Sequence, residues 1–137
     1  MKSVTELPFN RLLDLQPAPD PAHVLQLPEG PQYLNHLGTV HASAQLALAE
    51  ASSGEFLLRS LGDMPGLAPV VRRLTSKFRK PAHGRLIATA SARDGLEPFR
   101  AELNAKGRAL VTVDVELHDA SGAHTLSASV EWFVAHR

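Results

Sequence analysis

The 137-residue sequence contains no cysteine. Disulfides, a thiol nucleophile and thiolate metal sites are therefore excluded, and the composition fits a reducing, cytoplasmic setting. An excess of charge is also lacking: Lys+Arg and Asp+Glu are both 14, so the formal net charge is zero. Neutrality gives no support to a general nucleic-acid or membrane-surface role. No apolar run approaches the ~20 residues that a membrane span needs. The opening MKSVTELPFNRLL is too short and too interrupted to read as a signal peptide. Gly-x-Ser-x-Gly, P-loop and dinucleotide fingerprints are missing. The expectation is one soluble, cytoplasmic globular domain with a real core, 44% of its residues being apolar.

What is present concentrates between Asn35 and Gly54, which reads NHLGTVHASAQLALAEASSG. A turn carrying Asn35 and Gly38 leads through His41 into an Ala-rich helix with one acidic residue in this stretch, Glu50. A lone carboxylate in such a helix is costly to bury and asks for a reason. Its neighbours at i±3 and i±4 are Leu46, Ala47, Ser53 and Gly54, none of them cationic. The ordinary alternative is an exposed Glu50 paired with Arg59. Burial would instead raise its pKa and suit it to act as a base.

Helix geometry limits what this segment does within one chain. His41 and Glu50 are nine residues apart, which puts them on opposite faces and about 13 Å apart along the axis. A His41–Glu50 dyad or shared metal is disfavoured, and the ordinary role of His41 is to pack or cap at the helix start. The first helical N–H groups, around Val40–Ser43, have no intrahelical acceptors and carry partial positive charge. They could polarise a carbonyl, but Glu50 lies about 12 Å further along the axis. A working site must combine the helix start of one subunit with Glu50 of another.

The remaining pattern predicts an α+β layout. Thr5–Leu15 reads as a short helix with Thr5 as its N-cap, and the PAPDP run at Pro17–Pro21 as a linker. Residues 1–21 therefore form an N-terminal helix and linker, and 22–137 a single domain. Val24–Leu27 is a short strand, and the main helix runs from Val40 or His41 to Leu58. The turn-rich GDMPGLAP stretch follows. Further strands are expected at Val70–Arg79, Arg85–Arg93, Arg108–His118 and His124–Ala135. Asp94–Lys106 reads as a helix, with Asp94 and Glu97 as a capping box and Gly107 as its end. Asp119–Gly122 is a hairpin turn flanked by His118 and His124, which could meet. One helix covers only part of a sheet face, so a two-fold homo-oligomer is expected to cover the rest. The basic run Arg72, Arg73, Lys77, Arg79, Lys80 and Arg85 is ordinarily a solvated face; beside a site it could attract phosphates.

Asn35-His-Leu-Gly38-Thr39-Val-His41, with Glu50 nine residues on, resembles the hotdog-fold acyl-CoA thioesterases. The likeness is to the phenylacetic-acid-pathway (PaaI-like) group, whose pattern is Asn-x-x-Gly-x-x-His-Gly-Gly followed by an acid nine residues after the His. Phe78-Arg-Lys-Pro81-Ala-His-Gly84 and the Asp119–Gly122 hairpin also match, so the resemblance spans about residues 23–135. It implies a hotdog fold, an antiparallel sheet wrapped around one long central helix, here with an extra N-terminal helix. It further implies a homodimer, often paired into a tetramer, with sites between subunits. Glu50 would be the catalytic base or nucleophile, Asn35 would orient water or thioester, and the Ala42 N–H would polarise the carbonyl. Gly38, His41, Val71, Lys80 and Arg85 would line the substrate site. Coenzyme A enters as part of the substrate, with no separate cofactor.

Three departures stand out. Ala42-Ser43 replaces the Gly-Gly, Glu50 replaces the usual Asp, and Val71 falls where some members place a Ser or Thr facing the acid. These leave a non-catalytic acyl or acyl-CoA binding protein as the alternative. A hotdog dehydratase would need a His and an acid to converge between subunits.

Overall fold

The alternation at Val111, Val113, Val115 and Leu117 builds the centre of the sheet: each of these side chains is buried, and the residues between them face outward. In the computed structural model, which describes residues 1–62 and 66–137, this strand (β5, Arg108–Asp119) is flanked by two others. One is β4 (Leu86–Ala92) and the other β6 (His124–His136). The remaining strands are β1 (Gln16–Pro17), β2 (Leu25–Leu27) and β3 (Leu67–Phe78). All six form one antiparallel sheet in the order β1-β2-β4-β5-β6-β3.

One long helix, α2 (Ala42–Leu61), crosses the inner face and packs mainly on β2, β4, β5 and β6. Its alanines explain the close approach. Ala49 and Ala51 are buried beside Leu48 and Leu57, against Leu86, Val113, Val115, Leu126 and Val130. A second helix, α3 (Glu97–Lys106), joins β4 to β5 and docks through Phe99 and Leu103. Gly107 ends it with φ 75°, a left-handed C-cap that glycine adopts without strain. Of the turn-rich Gly62–Pro69 stretch, Gly62 follows α2 and Leu67–Pro69 already belong to β3; Asp63, Met64 and Pro65 lie outside the described residues.

Thr5–Leu15 is not one helix but a 3-10 turn (Val4–Glu6) capped by Ser3, followed by α1 (Pro8–Leu12). Pro8 has no N–H to continue the first turn and holds Leu7 extended, at ψ 139°. The PAPDP run is also not wholly linker, because Gln16 and Pro17 pair with Gln26 and Leu25. Pro17 is accommodated because β1 is an edge strand. Asp94 does not cap α3: a tight turn at Gly95 (φ 73°) places the helix start three residues later, with Leu96 at the N-cap position.

Glu55 fastens the amino-terminal segment to α2. It is 4% exposed. Its carboxylate accepts hydrogen bonds from the Val4 N–H (2.9 Å) and the Ser3 hydroxyl (3.1 Å). Arg59 lies 3.6 Å away, one helical turn on. Arg59 therefore pairs with Glu55 and not with Glu50, from which nine residues carry it to the opposite face. Glu55→Ala is expected to cost about 2–3 kcal/mol in urea unfolding, since charged hydrogen bonds are lost and buried donors left without acceptors. Glu55→Gln should lose less.

The opposite edge of the sheet is open. Val71, Leu74 and Phe78 of β3 lie opposite Trp132, Val130 and Leu126 of β6, on the same inner face. Their partners are buried, yet Val71 is 37% and Phe78 45% exposed. The apolar inner face thus continues past the region that α2 covers.

Candidate active site

The start of α2 is assembled from three separated parts of the chain. Val40 N–H donates to the Ala82 carbonyl (2.9 Å), and His41 N–H to the Tyr33 carbonyl. The buried Asp119 carboxylate accepts from the His83 N–H (3.1 Å) and from its own hairpin, Ser121 and Ala123. The Asp119–Gly122 hairpin therefore holds the 79–85 segment, and that segment holds the helix entrance.

Asn35 builds the turn before it. Its Oδ1 accepts from Leu37 N–H (2.9 Å) and Thr39 N–H (3.1 Å), while Nδ2 donates to Thr39 Oγ1 (2.9 Å). Both acceptor positions are occupied inside the turn, leaving one Nδ2–H to face a ligand. Gly38 supplies the positive φ of 77° that the turn requires.

His41 is the N-cap of α2. Its Nδ1 accepts from the Ser43 N–H at 2.9 Å, which fixes Nε2 as the protonated nitrogen of the neutral ring. The Ala44 and Gln45 N–H groups turn back to the His41 carbonyl. Among the described residues, the Ala42 N–H is the amide at this helix start left without an acceptor, and Ala42 is exposed. His41→Ala is expected to cost about 1 kcal/mol of stability, as the loss of an N-cap does, measured by thermal or urea unfolding.

Two concavities flank this entrance. One, of about 380 Å³, is bordered by Glu29, Tyr33, Gly38, Val40 and His83. The other, of about 290 Å³, is bordered by Phe9, Leu13, His41 and Ser43.

Glu50 lies on the same helix but borders neither of these. It is half-buried, and burial pushes its carboxyl up from the ordinary glutamate value. Its carboxylate makes no hydrogen bond or ion pair among the described residues, so nothing offsets the desolvation. Its carbonyl accepts from the Ser53 hydroxyl (2.6 Å), and that hydroxyl accepts from Trp132 Nε1 (2.9 Å). The structure thus does not bring Glu50 to the helix start of its own chain.

The family pattern of the domain of unknown function DUF4442 matches residues 14–134. The chain belongs to the DUF4442 family. The structure of the domain is similar to that of PA5026 from Pseudomonas aeruginosa, a protein of unknown function and probable thioesterase. The TM-score is 0.79 at 23% identity, covering 98% of this chain and 91% of that one. BH2602 from Bacillus halodurans, solved with CoA, superposes with a TM-score of 0.71 at 23% identity, covering 92% and 74%. The thioesterase SAV0944 from Staphylococcus aureus gives 0.70 at 16% identity, covering 93% and 98%. These likenesses show that the DUF4442 domain has the hotdog fold, the antiparallel sheet around one central helix that the sequence motif implied. No curated protein matches the chain in sequence.

The other expected site residues of this DUF4442 domain fall in two places. Lys80 and Arg85 are exposed on the 79–85 segment, beside the helix entrance that Ala82 anchors; Arg85 reaches Gln26 at 3.3 Å. Val71 sits away from them on the open edge strand, opposite Trp132. His118 and His124 do meet, their rings stacked 4.7 Å apart, with Glu116 at 2.9 Å from His124. Among the described residues no group of three or more His, Asp or Glu is arranged to hold a metal.

Proposed function

We propose that this protein hydrolyses acyl-CoA thioesters at a site shared by two copies of the chain. The observation that carries the proposal is Glu50: a half-buried carboxylate without a partner, its pKa raised by burial, held on the central helix of a hotdog fold. In this reading Glu50 of one subunit takes a proton from water, and that water attacks the thioester carbonyl. The developing oxyanion is held by the Ala42 N–H of the other subunit, at the positive end of α2. The thiolate of coenzyme A leaves and is then protonated. Lys80 and Arg85, exposed beside that helix start, would attract the phosphates. The uncovered inner face of β3, with Val71 and Phe78, supports a homodimer joined near this edge. Pairing of two such dimers would be a further step.

A specific observation favours the second reading, a non-catalytic acyl-CoA binding protein. Asn35 spends both acceptor positions inside its own turn, and Val71, where some relatives in the resemblance carry Ser or Thr, has no hydroxyl. Free-thiol release measured across short, long and aromatic acyl-CoAs separates the two. Turnover that disappears in Glu50→Ala supports hydrolysis. Tight binding with no turnover in the unaltered protein supports the binding protein.

A further inference from the structure

An apolar cavity of about 330 Å³ lies one turn beyond Glu50 along α2. Gly54, Leu57 and Leu58 of the helix form one side of it, and Trp132 of β6 adjoins them. The amino-terminal segment contributes Met1, Val4 and Leu7. Arg137 is the charged side chain on the described lining. Four of these lining residues, Met1, Val4, Leu7 and Arg137, lie outside the 14–134 stretch that defines the family match. The cavity is therefore built in part by residues outside the stretch matched to the family.

Its position relative to Glu50 follows from helix geometry. Gly54 is four residues on from Glu50, on the same face, so their Cβ positions are about 5–6 Å apart. The Ser53 hydroxyl links the helix at Glu50 to the cavity wall, donating to the Glu50 carbonyl and accepting from Trp132 Nε1. Gly54 packs closely here: a Cβ there would stand 3.3 Å from the Trp132 ring and 3.7 Å from Val4, so a larger side chain would narrow the cavity. The amino-terminal wall is pinned in place by Glu55 and by Asn10, whose side chain donates to the Val4 carbonyl at 2.9 Å.

We infer that this cavity holds the aliphatic acyl chain of the thioester, the amino-terminal segment serving as one of its walls. The inference rests on the proposed acyl-thioester reading and assigns its substrate class: straight, saturated acyl groups of medium length. A methylene takes about as much space as one liquid water, ~30 Å³, so the cavity accommodates on the order of ten carbons. Its apolar lining suits a chain that brings no polar group of its own.

Trp132 is the chain's single tryptophan and lines the cavity, so its emission reports occupancy without any turnover. The probes are S-ethyl-, S-hexyl- and S-decyl-CoA, thioethers that cannot be hydrolysed, titrated into the full chain and into Glu50→Gln. Affinity is expected to rise about three- to four-fold per methylene and to level off near ten carbons, with the Trp132 emission shifting for the longer chains. Leu7→Asp places a charge on the wall at a side chain already 43% exposed, where folding is little affected. It should reduce the S-decyl to S-ethyl affinity ratio at least ten-fold. Gly54→Leu should bring the levelling-off to shorter chains. Affinity independent of chain length, or equal losses for S-ethyl- and S-decyl-CoA in Leu7→Asp, would overturn the assignment. Chain-length-dependent binding without any thioester hydrolysis would uphold the cavity and sink the hydrolytic reading. Hydrolysis indifferent to chain length would do the reverse.

Discussion

Replacing Glu50 with Gln is expected to lower thioester hydrolysis by about 10²–10⁴-fold, the range associated with a lost general base. Gln has nearly the same shape and size, so the helix and the oligomer should persist, checked by circular dichroism and gel filtration. The same substitution should raise the melting temperature at neutral pH, and the sign follows from the direction of the pKa shift. Burial raises the Glu50 pKa in the folded state, so in the window between the unfolded and folded values the native protein binds more protons than the unfolded chain. Stability contributed by this group is therefore lost as pH rises through that window, and a neutral Gln escapes the loss. The acid limb of the pH–rate profile should correspondingly lie above that of an ordinary glutamate. A melting temperature lowered by Glu50→Gln, with activity retained, would rule out both the unpartnered carboxylate and its catalytic role. Gain in stability with loss of activity is the signature of a group held for function.

Ala42→Pro is expected to lower hydrolysis by about 10²–10³-fold while leaving the fold intact, the magnitude seen when one oxyanion donor is removed. Ala42 is the first residue of α2. Proline is well tolerated at that position, because the N–H it lacks has no intrahelical partner. His41 precedes it with φ −59° and ψ 140°, already the extended conformation that a residue before proline favours. The substitution therefore deletes one N–H with little other change. Mixing Ala42→Pro and Glu50→Gln subunits then tests whether the site is shared. A heterodimer of two inactive chains would contain one site with both an intact Ala42 N–H and an intact Glu50. Recovered activity on mixing and re-associating the subunits is the expected result. No recovery, with subunit exchange demonstrated, would place both groups in one chain's site and contradict the geometry of α2.

Much of this arrangement was legible in local pattern. The strict alternation in β5 and β6 and the alanine-rich run of α2 predicted those elements to within a few residues of their observed ends. The separation of His41 from Glu50 needed only the rise of a helix. Less legible was whatever depended on partners distant in sequence. Pro8 and Gly95 moved two helix starts because each acts through backbone geometry that competes with a plausible capping residue. Nothing local in the sequence distinguishes Glu55; only docking of Ser3 and Val4, some fifty residues away, gives it a buried role. Asn35 carried the expected motif, but the hydrogen bonds of its turn show it shaping the loop.

By itself, the sequence determined that Glu50 would sit mid-helix without a cationic neighbour one turn away, nine residues from a histidine at the helix start, in a neutral chain without thiols. Those features depend on spacing and composition alone. Tertiary structure decided that burial raises the pKa of Glu50, that the Ala42 N–H is left free while His41 occupies that of Ser43, and that an apolar cavity opens beside Gly54. Each of these depends on which distant groups exclude water from a site or supply its hydrogen-bond partners, and that is set by packing.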